Sequence, residues 1–242
     1  DFQWGYLPLV LVAVLAYYLL KGVRWHLFLQ TVGITLPLRT TIMVYLSGQW
    51  FAFSPMGEFV KVYLLRRYGV DYGQASTTIV MQVIVDFLSL ALLGSISLSW
   101  YPALSYVVLP VSALLFIGVG LLHQKWLWER LDRWERPSSL FRRLGLSWGS
   151  LMHGTGSLTR GGPLLVGMAM GVPTMLLGSA TLLLIAVGYS APVDLAQTTF
   201  VYSLSQLLGG MSMLPHGLGA VEGSSLAPFD HVGLEDAAQV AA

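Results

Sequence analysis

Three short stretches hold most of the side chains that could do chemistry in this apolar chain. In "FAFSPMGEFVKVYLLRR", residues 51–67, a Ser-Pro-Met-Gly break precedes Glu58 and Lys61, and Arg66 and Arg67 follow. Glu58 and Lys61 are three residues apart, so on a helix over 57–67 they share a face and can pair. Lys61 and Arg66 suit a phosphate at a cavity mouth: Arg grips phosphate bidentately and Lys acts as a point charge. A helix N-terminus also attracts anions, but Glu58 opposes that field. Glu58 is better suited to handling a proton or an amine, or to gating. The plainer reading of this stretch is an interfacial helix with a solvated charged face and side chains at the membrane surface.

In "IVMQVIVDFLSLALL", residues 79–93, Asp86 stands near the middle of an apolar run. A carboxylate there costs about 2.5–3.5 kcal/mol on insertion scales, and such residues commonly mark a polar pathway. Thr78, Gln82, Asp86 and Ser89 recur at helical spacing and form one stripe. The alternative is a hydrogen-bonded seam between helices. In "LPHGLGAVEG", residues 214–223, Glu222 follows a Pro-x-Gly element much as Glu58 does, and His216 lies inside it. Histidine can change charge near neutral pH, although a lone loop histidine is most often a bystander. Arg24-Trp25 reads as a snorkelling anchor at the end of the first span. Walker, dinucleotide, zinc-protease and nucleophile-elbow motifs are absent from the sequence. No enzyme activity, metal or cofactor is expected.

The elements that position these residues follow from composition. The chain has 242 residues, 55% of them hydrophobic and 10% charged, and its mean hydropathy is +0.68. A water-soluble domain carries about a quarter charged residues. A multi-pass membrane protein is therefore expected. The net charge of +1 gives no reason to expect nucleic acid, and with no cysteines there are no disulfides or thiolate metal sites. The opening segment lacks the marks of a cleavable signal peptide, and the chain reads as part of a longer protein. Residues 4–20, 75–96, 104–122 and 164–188 suit full spans. Two segments, 40–54 and 196–214, are shorter or more polar, and each runs into a Pro-Gly element.

Basic residues set the expected orientation. If 40–54 enters and leaves on one side, all 13 Lys and Arg residues gather on the cytoplasmic face of a cell membrane. Among them is the basic loop 123–162, where Leu127, Leu131 and Trp134 form the apolar face of an interfacial helix. Irregular backbone is not tolerated against lipid, so Pro55 and Gly57 would line a cavity. "TTIMVYLSGQWFAFSPMGE" at 40–58 also resembles "TTFVYSLSQLLGGMSMLPHGLGAVEG" at 198–223, with gaps. The charge count puts this second segment's Pro-Gly element on the outer face, which makes an inverted repeat, and broken segments in two halves point to a midplane binding site. Gly167-Met-Ala-Met-Gly171 suits close helix packing.

These residues together resemble the transmembrane region of lysylphosphatidylglycerol synthases, which also occurs alone as flippase-like membrane proteins. The resemblance covers nearly the whole chain. Pro55, Gly57 and Glu58 keep part of that family's Pro-Gly-x-x-Gly-Glu motif. Pro215, Gly217, Leu218, Gly219 and Glu222 keep most of its late motif, with His216 where Gly is usual. The family's Glu-Arg-x-x-Asp becomes Gln82-Val83-Ile84-Val85-Asp86, so the Asp remains without the charged pair before it. The resemblance implies movement of a lipid with a phosphate-bearing headgroup between leaflets.

The expected fold is an all-α polytopic membrane protein, with four or more transmembrane helices plus two re-entrant segments forming an inverted repeat. Its expected parts are a first half-repeat (1–103), a helix (104–122), the basic loop (123–162) and a second half-repeat (163–242). The expected function is lipid translocation through an amphipathic cavity touched by Glu58, Lys61, Arg66, Gln82, Asp86, His216 and Glu222, with turns at Pro55, Gly57, Pro215, Gly217 and Gly219. The expected partners are the bilayer and a lipid with an anionic headgroup; a partner or fused lipid-modifying enzyme and self-association are compatible with this. The alternative function is a non-transporting module that presents lipid to a partner enzyme.

Overall fold

The computed structural model describes residues 2–51, 56–98, 105–121 and 161–211. Among the described residues every regular element is helical. A short 3-10 turn, Trp4–Tyr6, leads into α1 (Leu7–Thr31); α2 (Leu38–Gln49), α3 (Met56–Arg66), α4 (Tyr72–Ser97), α5 (Ser105–Leu121), α6 (Gly162–Gly188) and α7 (Leu195–Met211) follow. The segments 4–31, 72–96 and 162–188 are long and apolar enough to cross a membrane. The fourth span expected, over 104–122, coincides with α5, which at 17 residues with Pro110 inside it is not one of these three.

The first span is longer than its apolar run. Helix α1 does not stop near residue 20 but continues through Lys21, Arg24 and Trp25 to Thr31. Arg24 is therefore not an anchor at a helix end. It lies inside the helix and is fully buried. A charge can continue a membrane helix when a partner on a neighbouring helix compensates its desolvation.

Contacts within the chain define two compact units: Asp1–Lys21, Phe87–Ala113 and Met170–Ala242 form one, and Gly22–Asp86 with Leu114–Ala169 forms the other. In the first unit, Ala186, Phe200, Val201 and Leu204 make a core against which Leu98, Leu182 and Leu208 pack. Tyr202 donates its hydroxyl hydrogen to Tyr17 Oη at 3.4 Å, and a Cβ at Gly178 would lie 2.5 Å from the Tyr202 hydroxyl oxygen. In the second unit, Phe28, Met81 and Val85 make a core with Val32, Leu164 and Met168. Gly167 allows this packing, since a Cβ there would stand 2.9 Å from Phe28 Cζ. That is the close approach a small-residue pattern permits.

The connections α1–α2 and α6–α7 are built alike. Helix α1 ends with Gly33 at φ 83° and the Ile34 amide bonded to the Leu29 carbonyl; α6 ends with Ser190 at φ 62° and the Ala191 amide bonded to the Ala186 carbonyl. Both are Schellman-type ends, which need a left-handed residue just past the helix. From this anchor the following helices align without gaps. Leu38 matches Leu195, Thr41 matches Thr198, Val44 matches Val201, Tyr45 matches Tyr202 and Gln49 matches Gln206. The Thr41 and Thr198 amides bond the carbonyls of Pro37 and Asp194, four residues back in each case.

Candidate functional site

Polar side chains converge in the second unit, and consecutive residues of α1 begin the construction. Arg24, Trp25 and His26 point about 100° apart around the helix, so each can meet a different neighbour. The Arg24 guanidinium donates through Nη2 to Asp86 Oδ1 on α4. Trp25 donates from Nε1 to Thr78 Oγ1, also on α4, at 3.0 Å. His26 Nδ1 lies 3.2 Å from Thr41 Oγ1 on α2. Thr78 and Thr41 are buried, which explains why hydroxyls rather than aliphatic groups face α1 there.

Helix α4 presents the stripe read from its spacing. Thr78, Gln82 and Ser89 are buried, and the Asp86 side chain keeps 20% of its exposure. Gln82 donates from Nε2 to the Tyr45 hydroxyl at 3.2 Å. Tyr45 is buried on α2, with its ring centroid 5.9 Å from that of Trp25. Tyr45 also receives Lys61 from α3, whose ammonium lies 4.4 Å from the ring centroid and donates to Glu58 Oε1 at 2.6 Å. A cation over a tyrosine face gains roughly 0.5–2 kcal/mol, more as it is desolvated. Gly48 of α2 lets the lysine stem pass, because a Cβ there would stand 2.7 Å from Lys61 Cε.

The acids among the described residues divide cleanly. Asp71 accepts the Gly73 amide at the start of α4. Asp194 and Gln197 form a reciprocal capping box at the start of α7, with both bonds at 2.8 Å. Glu58 and Asp86 are the two that hold basic side chains. Arg24 remains under-satisfied: its Nε and Nη1 are buried with no hydrogen-bond partner. Each unpaired buried donor costs about 1–3 kcal/mol, and more when charged. Such a group is a strain on the fold unless something binds it.

The structure thus brings Glu58, Lys61, Gln82 and Asp86 together in one unit and adds Arg24 and Tyr45, which sequence reasoning missed. For Arg24 the usable signal was Asp86 itself, since a carboxylate within a span requires a counter-charge. For Tyr45 it was the Val-Tyr shared by the segments 40–58 and 198–223. Lys61 corrects the expected surface position: only 1% of its side chain is exposed, because its stem packs against α2. Arg66 is exposed, with its guanidinium 4.6 Å from the Tyr72 ring centroid. Gly57 is buried near the start of α3. Pro55, Pro215, His216, Gly217, Gly219, Glu222 and the loop helix expected within 123–162 lie outside the described residues. Among the described residues no His, Asp and Glu group could hold a metal ion.

The family model described as the lysylphosphatidylglycerol synthase TM region matches residues 1–242, the whole chain. The chain belongs to that family. No curated protein and no solved structure matches it. For a lysylphosphatidylglycerol synthase transmembrane region, the departure at Gln82 has a structural sequel. Helix α4 has Gln82 and Val83 ahead of Asp86 and no charge there, and the guanidinium beside Asp86 is supplied by α1. Membership gives the chain a membrane setting and a lipid-related function.

Proposed function

We propose that this chain moves a phosphate-bearing lipid between leaflets, its headgroup following a polar route while its tails stay in the bilayer, without chemical change to the lipid. The observation that carries the reading is the Arg24–Asp86 pair. It joins two apolar membrane-length helices, where replacing both charges by apolar groups would cost the fold little. Charges kept at such a place are best understood as serving passage of a polar group.

Helix lengths support a re-entrant first hairpin. At 1.5 Å per residue α2 spans about 18 Å and α3 about 16 Å, well short of a hydrocarbon core of about 30 Å. Both helices belong to the unit that holds the C-terminal part of α1 and the N-terminal part of α4. A chain that leaves α1 and enters α4 within one unit has no need to cross between them. Helix α7, the counterpart of α2, belongs to the other unit with the C-terminal part of α6. The inverted pairing, and with it a cytoplasmic position for the basic loops, rests on the distribution of Lys and Arg along the chain.

The test is transfer of a headgroup-labelled phospholipid between leaflets in proteoliposomes. Wild type should accelerate it, and the double variant Arg24→Gln with Asp86→Asn should not while remaining folded. If wild type bound lipid without accelerating transfer, translocation would be refuted and presentation to a partner enzyme would replace it.

A further inference from the structure

We infer that Arg24 is the group that receives the phosphate, and that Asp86 occupies it at rest as an internal stand-in. The inference rests on the translocation reading for the choice of anion, but its geometry is independent. A guanidinium offers two edges for bidentate recognition: Nε with Nη2 along its side, and Nη1 with Nη2 at its end. Asp86 is bound through Nη2, the nitrogen common to both edges, while Nε and Nη1 have no partner. The carboxylate therefore blocks both edges and completes neither. A resident ion pair serving stability alone would gain by using one edge fully.

Arg24 is fully buried, whereas Asp86 is one-fifth exposed, so the anion approaches from the carboxylate's side. A phosphate oxyanion presents two oxygens at once and can fill a complete edge of the guanidinium, which the one bond from Arg24 Nη2 to Asp86 does not. Exchange moves Arg24 from one anion to another, so its charge is never left uncompensated in the apolar interior. Lys61 keeps Glu58 as its partner, which leaves Arg24 as the buried cation with free donors among the described residues. The shared chemistry is a phosphate oxyanion, whether on a lipid headgroup or free.

The inference makes the two halves of one ion pair behave oppositely. Native mass spectrometry of the full chain in detergent would measure retention of phosphatidylglycerol, of diacylglycerol with the same tails, and of phosphatidylglycerol challenged with inorganic phosphate. Arg24→Gln should weaken phosphatidylglycerol retention by about tenfold or more, the loss of a charge-assisted contact. Asp86→Asn should strengthen it, because a competing anion has gone. Diacylglycerol should respond to neither. Displacement by inorganic phosphate would identify free phosphate as a sufficient ligand, and resistance would assign the site to the headgroup of a lipid held also by its tails. Equal weakening by both substitutions, or no change in either, would overturn the inference.

If either single variant proves too unstable to isolate, the double variant Arg24→Gln with Asp86→Asn decides the matter. Its melting temperature should not rise with added phosphatidylglycerol, and a rise equal to that of wild type would refute the subsite. Retention without transfer in wild type would remove the translocase reading and leave the subsite standing. Transfer in wild type, with Arg24→Gln retaining lipid normally, would do the reverse.

Discussion

Replacing Gly48 by alanine tests how α2 and α3 are held together. The added Cβ would collide with Lys61 Cγ, stand 2.7 Å from Cε, and stand 2.9 Å from the Gly57 carbonyl oxygen. Carbon contacts are comfortable at about 3.5–4.0 Å, so neighbours must yield by roughly an ångström. Lys61 cannot swing away cheaply, because its ammonium is fixed by Glu58 and the Tyr45 ring. Overpacking of this kind costs about 1–3 kcal/mol, against a gain of about 0.5–1 kcal/mol for alanine over glycine within a helix. The expected net loss is about 0–2.5 kcal/mol. On a Lys61→Ala background the stem is gone and the Gly57 carbonyl contact remains, so the loss should shrink, or reverse, by about 1 kcal/mol of coupling. Thermal or detergent-induced unfolding of the four proteins measures this cycle. Equal cost of Gly48→Ala in both backgrounds would mean that Lys61 does not occupy the groove beside Gly48, and the packing argument would fail.

Arg24→Gln alone should destabilise more than the double neutral variant, since Asp86 loses the guanidinium that compensates its charge in the apolar interior while the double variant has no charge to compensate; the same unfolding assay separates them. Tyr45→Phe removes the oxygen that Gln82 bonds and should cost about 1–3 kcal/mol, a loss that Gln82→Leu should largely relieve in the double variant. Arg66→Gln should alter stability by no more than about 0.5 kcal/mol, because its side chain is exposed, whereas Lys61→Gln should cost measurably more. Single cysteines at Arg39 and Arg67, introduced into this cysteine-free chain, should label from the same side of a sealed vesicle; labelling from opposite sides would refute the re-entrant hairpin.

Sequence alone determined the solvent and the helical class, because a bilayer demands long apolar segments whose backbone groups are satisfied within each segment. It also determined the Asp86 stripe, since helical spacing fixes which residues share a face whatever they pack against. The Glu58–Lys61 pair was legible for the same reason, as it is local to one turn of α3. Partners far apart in sequence were not legible. Arg24 meets Asp86, Trp25 meets Thr78 and Tyr45 meets Gln82 only because α1, α2 and α4 are packed together. Burial likewise belongs to tertiary structure. Lys61 and Arg66 are similar charges on one short helix, yet one is enclosed against Gly48 and Tyr45 while the other remains exposed. The identity of a charged residue sets the cost of burying it, but only the packing of neighbouring helices decides whether that cost is met by a partner or avoided at the surface.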